Sequence, residues 1–139
     1  MFNFTVKYLG FLKEIPIVPH VFDTFLKLSY MICDKKVIDS IDKIESIVSE
    51  WENINLSMHK YGGLQFNVGT KEIGHIHSNG LLDILLDKRQ QMELVSKGLA
   101  EEHHVFKNSG WISFYIKTEK DIDKAVSLLR ISFLEKKRF

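Results

Sequence analysis

The sequence contains few cysteines and prolines and no long apolar run. Cys33 is its single cysteine, which excludes an intrachain disulfide, a CxxC redox pair and a thiolate-rich zinc site, and which suits a reducing compartment. No stretch approaches the roughly 18 apolar residues that a membrane span requires, and the pattern of a signal peptide is missing. These absences predict a cytoplasmic protein with no membrane partner.

An excess of charge of one sign is also missing. Nineteen Lys and Arg residues stand against eighteen Asp and Glu residues, so the net charge is +1. A nucleic-acid binder carries a basic surplus, so this balance argues against a nucleic-acid partner. The remaining composition, 45% apolar and 27% charged over 139 residues, predicts one globular domain spanning residues 1–139.

The spacing of apolar residues divides this domain into two parts. Residues 1–58 are predicted to be mainly helical, with a helix over 37–51 whose apolar residues recur every three or four positions. Residues 61–134 change to a period of two, which is typical of strands. The four predicted strands span residues 63–69, 71–77, 81–86 and 111–117. Asp87 and Thr118 are predicted to cap helices that follow the third and fourth strands.

The order of these elements predicts an α+β fold. Loops of two or three residues join the first three strands into an antiparallel meander, and the helices pack against one face of the sheet. In the helix after Asp87, we expect Met92, Val95 and Leu99 to face the core. The element order also resembles that of a double-wing family with a frataxin-like fold, for which DNA binding has been proposed.

Histidines supply the clearest candidates for chemistry. His75 and His77 are two apart on a predicted strand and therefore point to the same face, while alternation places Glu72 on the opposite face unless the strand bulges. Two such imidazoles either bind a metal, with His103 or Asp83 completing an open three-ligand site, or include a general base. The alternative is that the pair is merely exposed on an edge strand.

Other residues have both a functional and a structural interpretation. Trp111 either lines a pocket for an aromatic ligand or belongs to the core. Arg130 either pairs with Asp83 or Glu72, or extends from the edge of the core into solvent. His59 is isolated in the sequence and is predicted to lie at the surface. The sequence contains no HExxH helix, no Gly-rich phosphate loop and no GxSxG motif, so the common hydrolase and nucleotide-binding mechanisms have no support.

Several runs of residues in the second part resemble a known family, and they occur in the same order and at matching spacing. They are Gly63-Leu-Gln-Phe-Asn-Val-Gly69, Glu72-Ile-Gly-His-Ile-His77, Gly98-Leu-Ala-Glu-Glu-His-His104, Ser109-Gly-Trp-Ile-Ser-Phe114 and Leu128-Leu-Arg-Ile-Ser132. Over about residues 61–134 the chain resembles the luciferase-domain family, small and mostly bacterial domains of unassigned activity. Mushroom luciferases are similar to this family at a greater distance.

The resemblance implies a chemistry and a set of site residues. In the mushroom enzymes the chemistry is cofactor-free oxygenation of an electron-rich, hydroxylated aromatic pyrone. The matching catalytic positions are Glu72, His75, His77 and His103. Asp83 and His104 match the bacterial pattern and are expected to contact a ligand. Trp111 and Arg130, selected from the residues themselves, complete the set of expected ligand contacts. No cofactor is required by this chemistry; zinc or iron bound through the three catalytic histidines is the alternative.

Three classes of function remain open from the sequence. The first is a histidine-lined site for a small aromatic molecule, with an oxygenase-type activity. The second is a non-enzymatic module that presents its sheet or its acidic helix to another protein or to a second copy of itself as a homodimer. The third is a nucleic-acid-binding module of the double-wing type.

Overall fold

The structure, a computed structural model, describes residues 35–138 of the chain. Helix α1 (Lys35–Ser49) comes first and is followed by strands β1 (Ile54–Met58), β2 (Leu64–Val68), β3 (Lys71–Ile76) and β4 (Leu81–Leu85). Helix α2 (Lys88–Ser96) and strands β5 (Glu101–Glu102) and β6 (Trp111–Tyr115) come next. A short 3-10 helix (Glu119–Asp121) then leads into helix α3 (Ile122–Lys137).

The strands form one antiparallel sheet in the order β1-β2-β3-β4-β6-β5. This arrangement confirms the predicted α+β fold, and all four predicted strands are present with ends one or two residues shorter at most. The meander of β2, β3 and β4 lies beside the Trp-led strand β6, because the chain crosses over through α2 and β5 before it returns. A frataxin-like topology is not confirmed.

The apolar core lies between one face of the sheet and helices α1 and α3. Gly74 in β3 marks this face, since a Cβ atom built on it would lie 3.2 Å from Leu129 of α3. The residues of the core that have no exposed surface are Ile44, Val48, Phe66, Ile73, Leu82, Ile84, Ile112, Ala125 and Leu129. No helix within residues 35–138 is long and apolar enough to cross a membrane.

Helix α2 is present where the sequence predicts it, and of the three residues predicted to face the core, Val95 packs against it. Asp87 caps it, accepting a hydrogen bond from the backbone N–H of Gln90 at 2.8 Å. Met92 and Leu99 are exposed rather than turned to the core, and Gln91 is the buried residue of the helix. The helix is short and polar, so its apolar spacing is a weak guide to its orientation.

Two strands were not predicted. Residues 54–58 lie within the segment predicted to be mainly helical, yet they form β1 and pair with β2. Glu101 and Glu102 lie in a predicted loop, yet they form β5 and pair with β6. The helix predicted over 37–51 is α1. The helical prediction for residues 1–34 lies outside the described residues.

Candidate functional site

A row of polar side chains crosses the sheet face that is turned away from α3. The strand register places His75 of β3 opposite Asp83 of β4, and Asp83 opposite Ser113 of β6. His75 follows Gly74, so its side chain points away from the helix-covered face. All three side chains are buried, which is unusual for polar residues unless they bond to one another.

A β-bulge in β3 brings Glu72 into this row. Phe66 pairs with Gly74 and Asn67 pairs with Glu72, so Ile73 is an extra residue without a partner in β2. The extra residue reverses the alternation of side chains between the two faces of the sheet. Glu72 therefore lies on the same face as His75. Glu72 Oε1 lies 2.6 Å from Nδ1 of His75.

Three imidazoles converge on one carboxylate oxygen. The Nε2 atoms of His75, His77 and His103 lie 3.6, 3.7 and 3.5 Å from Oδ2 of Asp83. The other oxygen of Asp83, Oδ1, accepts a hydrogen bond from the hydroxyl of Ser113 at 2.5 Å. The Asp83 side chain is 1% exposed and that of His77 is 28% exposed, so His77 is the member of the cluster that solvent reaches most easily. The structure therefore brings together His75, His77 and His103.

The loop after β5 fixes the ring of His103. Nδ1 of His103 accepts hydrogen bonds from the backbone N–H groups of Val105 and Phe106, at 3.1 and 3.0 Å. A nitrogen that accepts two such bonds carries no hydrogen, so the neutral ring holds its hydrogen on Nε2, which faces Asp83. His103 thus presents an N–H donor to the centre of the site.

The electrostatics divide these groups into charged and neutral members. Burial alone would lower the pKa of His75, but Asp83 and Glu72 favour its charged form and raise the pKa to about 9. Burial would raise the pKa of Asp83, but the imidazoles of His75 and His77 and the Ser113 hydroxyl hold it well below its ordinary value. At neutral pH, His75 is an imidazolium and Asp83 a carboxylate.

The pKa values of His103 and His59 shift downward, in the direction opposite to that of His75. Burial lowers the pKa of His103, and nearby imidazoles lower it further although Asp83 opposes them. Burial also lowers the pKa of His59, and the charge of His75 adds to that effect. Both rings are therefore neutral at physiological pH.

His59 and Ser113 are parts of the site that reasoning from the sequence missed. His59 was predicted to be a surface residue, but it is buried and its ring stacks on His75 with the centroids 3.7 Å apart. It lies between β1 and β2, where no periodicity indicates its environment. Ser113 did carry a signal, because it alternates with Ile112 and Phe114 and so belongs to the polar face of β6.

Aromatic rings flank the cluster. The ring of Trp111 lies 5.5 Å from the ring of His75 and 6.1 Å from that of His103, so Trp111 lies beside the cluster. Phe106, which no sequence pattern indicates, is about half exposed, and its ring stacks near that of His103 with the centroids 5.1 Å apart. His104 is exposed and stacks on His103 with the centroids 4.6 Å apart, at the edge of the site.

Arg130 is not brought to the cluster. Its guanidinium lies 4.4 Å from the ring centroid of Trp51 and 5.6 Å from that of Phe133. Because Arg130 is an exposed residue of α3, on the other side of the sheet from Asp83, it extends from the edge of the core. Of the two interpretations of Arg130, the structure supports extension from the edge of the core rather than pairing with Asp83 or Glu72.

Two sets of side chains have metal-ligand spacing within the described residues. The ligand atoms of His75, His77 and Asp83 lie within 4.8 Å of one another, and so do those of His59, Glu72 and His75. An open groove of about 600 Å³ lies elsewhere, lined by residues that include Asn53, Val68 and Lys137, and holds none of the predicted site residues.

The comparisons with known proteins give one finding about family. The family model described as the luciferase domain matches residues 70–132. The match confirms the resemblance over that segment, which contains Glu72, His75, His77, Asp83 and His103. No curated protein and no solved structure matches the chain.

Proposed function

We propose that this luciferase-like domain binds a small hydroxylated aromatic compound at the histidine cluster and catalyses an oxygenase-type reaction on it. The observation that carries the proposal is the convergence of three imidazoles on Asp83 beside the exposed ring of Phe106 and the partly buried ring of Trp111. The cluster lies within the segment that matches the luciferase domain. An apolar aromatic surface next to a few convergent polar groups is typical of a small-molecule site.

The two halves of the site suit the two halves of such a ligand. The ring of the ligand packs against Phe106 and Trp111, where offset stacking contributes about 0.5–1.5 kcal/mol beyond burial. Its hydroxyl group enters the polar centre, where the N–H of His103 and the imidazolium of His75 favour the deprotonated oxygen.

Deprotonation prepares the ligand for dioxygen. The hydroxyl proton leaves to solvent, which reaches the cluster at His77. The ring anion then gives two electrons to dioxygen, the oxidant: a C–O bond forms at an electron-rich carbon, the O–O bond order falls from two to one, and the outer oxygen takes up a proton from solvent to give a hydroperoxide. Hydrogen-bond donors aimed at the developing charge supply the main catalytic effect, which for one donor is about 2.7–4 kcal/mol. Glu72 acts as a positioning residue, because it holds the ring of His75 through Nδ1.

Oxygen consumption tests the proposal. We expect the protein to consume dioxygen in the presence of a hydroxylated aromatic pyrone and, under ¹⁸O₂, to incorporate the label into the product. Phe106→Ala, which removes an exposed ring, should weaken pyrone binding about threefold to tenfold without unfolding the protein. Leu134→Ala is the matched control, since it truncates an exposed apolar side chain on α3.

The alternatives give different results in the same samples. A homodimer or protein-interaction module would show no pyrone binding by NMR and no change with Phe106→Ala. A nucleic-acid module would bind DNA with an affinity that falls steeply with salt. Either result, without pyrone binding, overturns the proposed function.

A further inference from the structure

The distances around Asp83 do not fit hydrogen bonds. The three Nε2 atoms lie 3.5–3.7 Å from Oδ2, beyond the 2.7–3.2 Å that is usual for nitrogen donors. These Nε2–Oδ2 distances do fit the spacing between two ligand atoms of one metal ion. Ligands at about 2.1 Å from a tetrahedral metal lie about 3.4 Å apart.

Hydrogen positions decide which imidazoles can be ligands. Nδ1 of His75 donates its hydrogen to Glu72 at 2.6 Å, so a cation can replace the hydrogen on Nε2 and use that lone pair. A carboxylate that accepts a hydrogen bond from the far nitrogen of a ligating histidine is the usual support for a metal site. The structure thus supplies both the ligand and its supporting carboxylate.

His103 cannot be a ligand in this arrangement. Its Nδ1 accepts two backbone N–H bonds, so Nε2 keeps its hydrogen and has no lone pair for a cation. Turning the ring over would place a carbon atom, Cε1, at the same point, which cannot ligate either. The three-histidine set considered from the sequence is therefore replaced by a set that contains Asp83.

The second set of candidate ligands is also excluded. In His59, Glu72 and His75, the pair Glu72 Oε1 and His75 Nδ1 is 2.6 Å apart, which is a hydrogen bond and too close for two ligands of one ion. An ion on Nδ1 of His75 would replace the hydrogen that is donated to Glu72, whereas an ion on Nε2 keeps that hydrogen bond. One set remains within the described residues.

We propose that His75, His77 and Asp83 bind one divalent transition-metal ion through Nε2, Nε2 and Oδ2. Two imidazoles and one carboxylate with open positions are typical of non-haem iron(II) sites, and zinc binds the same donor types. Metal binding itself does not depend on the proposed function; only the use of the ion in oxygenation rests on it. His103 then directs its N–H toward a ligand in an open position.

Metal analysis of variants tests the ligand set. The full chain is purified without a His-tag, stripped with a chelator and titrated with Zn²⁺ or, without oxygen, with Fe²⁺. We expect one ion per chain for the native protein and for His103→Gln and His104→Gln. We expect at least a hundredfold loss of affinity for His75→Gln, His77→Gln and Asp83→Asn, and about tenfold to hundredfold for Glu72→Gln.

An NMR measurement on the native protein keeps the test independent of variant folding. Long-range ¹⁵N–¹H spectra report which ring nitrogens carry hydrogen. On addition of Zn²⁺, Nε2 of His75 and His77 should shift as ligands do, while Nε2 of His103 stays protonated. The inference is overturned if no ion binds, if His103 loses its Nε2 hydrogen, or if the His103→Gln variant loses affinity as fully as His77→Gln does. Failure to bind an ion while pyrone oxygenation is retained would overturn this inference and leave the proposed function intact, whereas metal binding without pyrone oxygenation would overturn the proposed function and leave this inference intact.

Discussion

Gly74 lies between Glu72 and His75 in β3 and has no room for a side chain. A Cβ atom there would lie 2.6 Å from the backbone oxygen of Asp83 and 3.2 Å from Leu129. Because the first of these neighbours is backbone, it cannot move without shifting β4. We expect Gly74→Ala to lower the free energy of unfolding by about 1–3 kcal/mol in urea denaturation.

Gly69 provides the control for this substitution. It has a left-handed φ of 59°, but a Cβ atom at this position would have no neighbouring atom within 4 Å, so only the backbone conformation constrains the residue. Asn adopts that conformation at a lower cost than other non-glycine residues, so Gly69→Asn should lower the free energy of unfolding by about 1 kcal/mol or less. Equal losses for the two variants would show that close packing at Gly74 is not the cause.

Ser113 holds the buried carboxylate of Asp83 from the side opposite His75 and His77. Ser113→Ala leaves Oδ1 of Asp83 without its donor at 2.5 Å, and hydrogen bonds to charged groups contribute about 1.5–3 kcal/mol. We therefore expect a loss of stability in that range, measured by urea denaturation of the chelator-treated protein.

Ser132 is the matched control for Ser113, because it is equally small and equally buried. Its hydroxyl donates to the backbone oxygen of Leu85 at 2.6 Å, and Lys136 donates to the same oxygen at 3.1 Å. Ser132→Ala therefore leaves that oxygen with a partner and should cost about 1 kcal/mol or less. A larger loss for Ser132→Ala than for Ser113→Ala contradicts the importance of the Asp83 contact.

At the scale of single residues, the sequence indicates part of the site. Strand alternation alone places His75 and His77 on one face, and Asp83 lies on a predicted strand. The position of Glu72 depends on a bulge at Ile73, and the burial of His59 depends on how an irregular loop closes over β3. Neither event has a periodic signal, so neither can be predicted from spacing.

At the scale of elements, Asp121 ties the end of the sheet to α3. Its carboxylate accepts the backbone N–H groups of Lys117 and Thr118, each at 2.9 Å, and these bonds lower its pKa below the ordinary value of 3.8. The bonds therefore stabilise the fold above about pH 4 and are lost as the pH falls through the lowered pKa. We expect Asp121→Ala to cost about 1 kcal/mol at pH 7 and less at pH 2.5.

Asp121→Asn separates the charge from the hydrogen bonds at this position. The amide oxygen still accepts an N–H group, but it does not titrate, so the stability difference from Asp121→Ala should not change between pH 7 and pH 2.5. Urea denaturation of both variants at the two pH values measures these free energies of unfolding. If the cost of Asp121→Ala is the same at both pH values, the carboxylate charge contributes nothing.

The elements differ in how well the sequence predicts them. Strands β2, β3, β4 and β6 have alternating residues and turn residues between them, so local pattern and tertiary packing agree. Strand β1 is mostly exposed, and β5 is only two residues long, so both depend on pairing with a neighbour rather than on their own pattern. Their positions follow from the assembled sheet.

At the scale of the whole molecule, the sheet separates two layers of different chemistry. One face packs its apolar residues against α1 and α3, while the other gathers His75, Asp83 and Ser113. Substitutions on the polar face can therefore change ligand binding with the apolar core unaltered. The polar layer also joins β3, β4, β6 and the loop after β5, so a ligand bound there connects distant parts of the chain.

A metal ion held by His75, His77 and Asp83 should therefore stabilise the entire fold. An ion that binds only the native state at a free concentration 100 times its dissociation constant adds about 2.7 kcal/mol to the free energy of unfolding. For a domain of this size we expect the melting temperature of the stripped protein to rise by about 10 °C. Thermal melts with Zn²⁺ or anaerobic Fe²⁺, followed by reversal with a chelator, measure this effect.

Two controls identify the cause of the increase in melting temperature. Ca²⁺ prefers six to eight oxygen ligands and should leave the melting temperature of the native protein unchanged, since the site offers two nitrogens and one carboxylate. Asp83→Asn should melt at the same temperature with and without Zn²⁺, while His104→Gln should respond as the native protein does. A rise that persists in Asp83→Asn would place the ion at other side chains, because a neutral amide is a poor substitute for the carboxylate on which the three imidazoles converge.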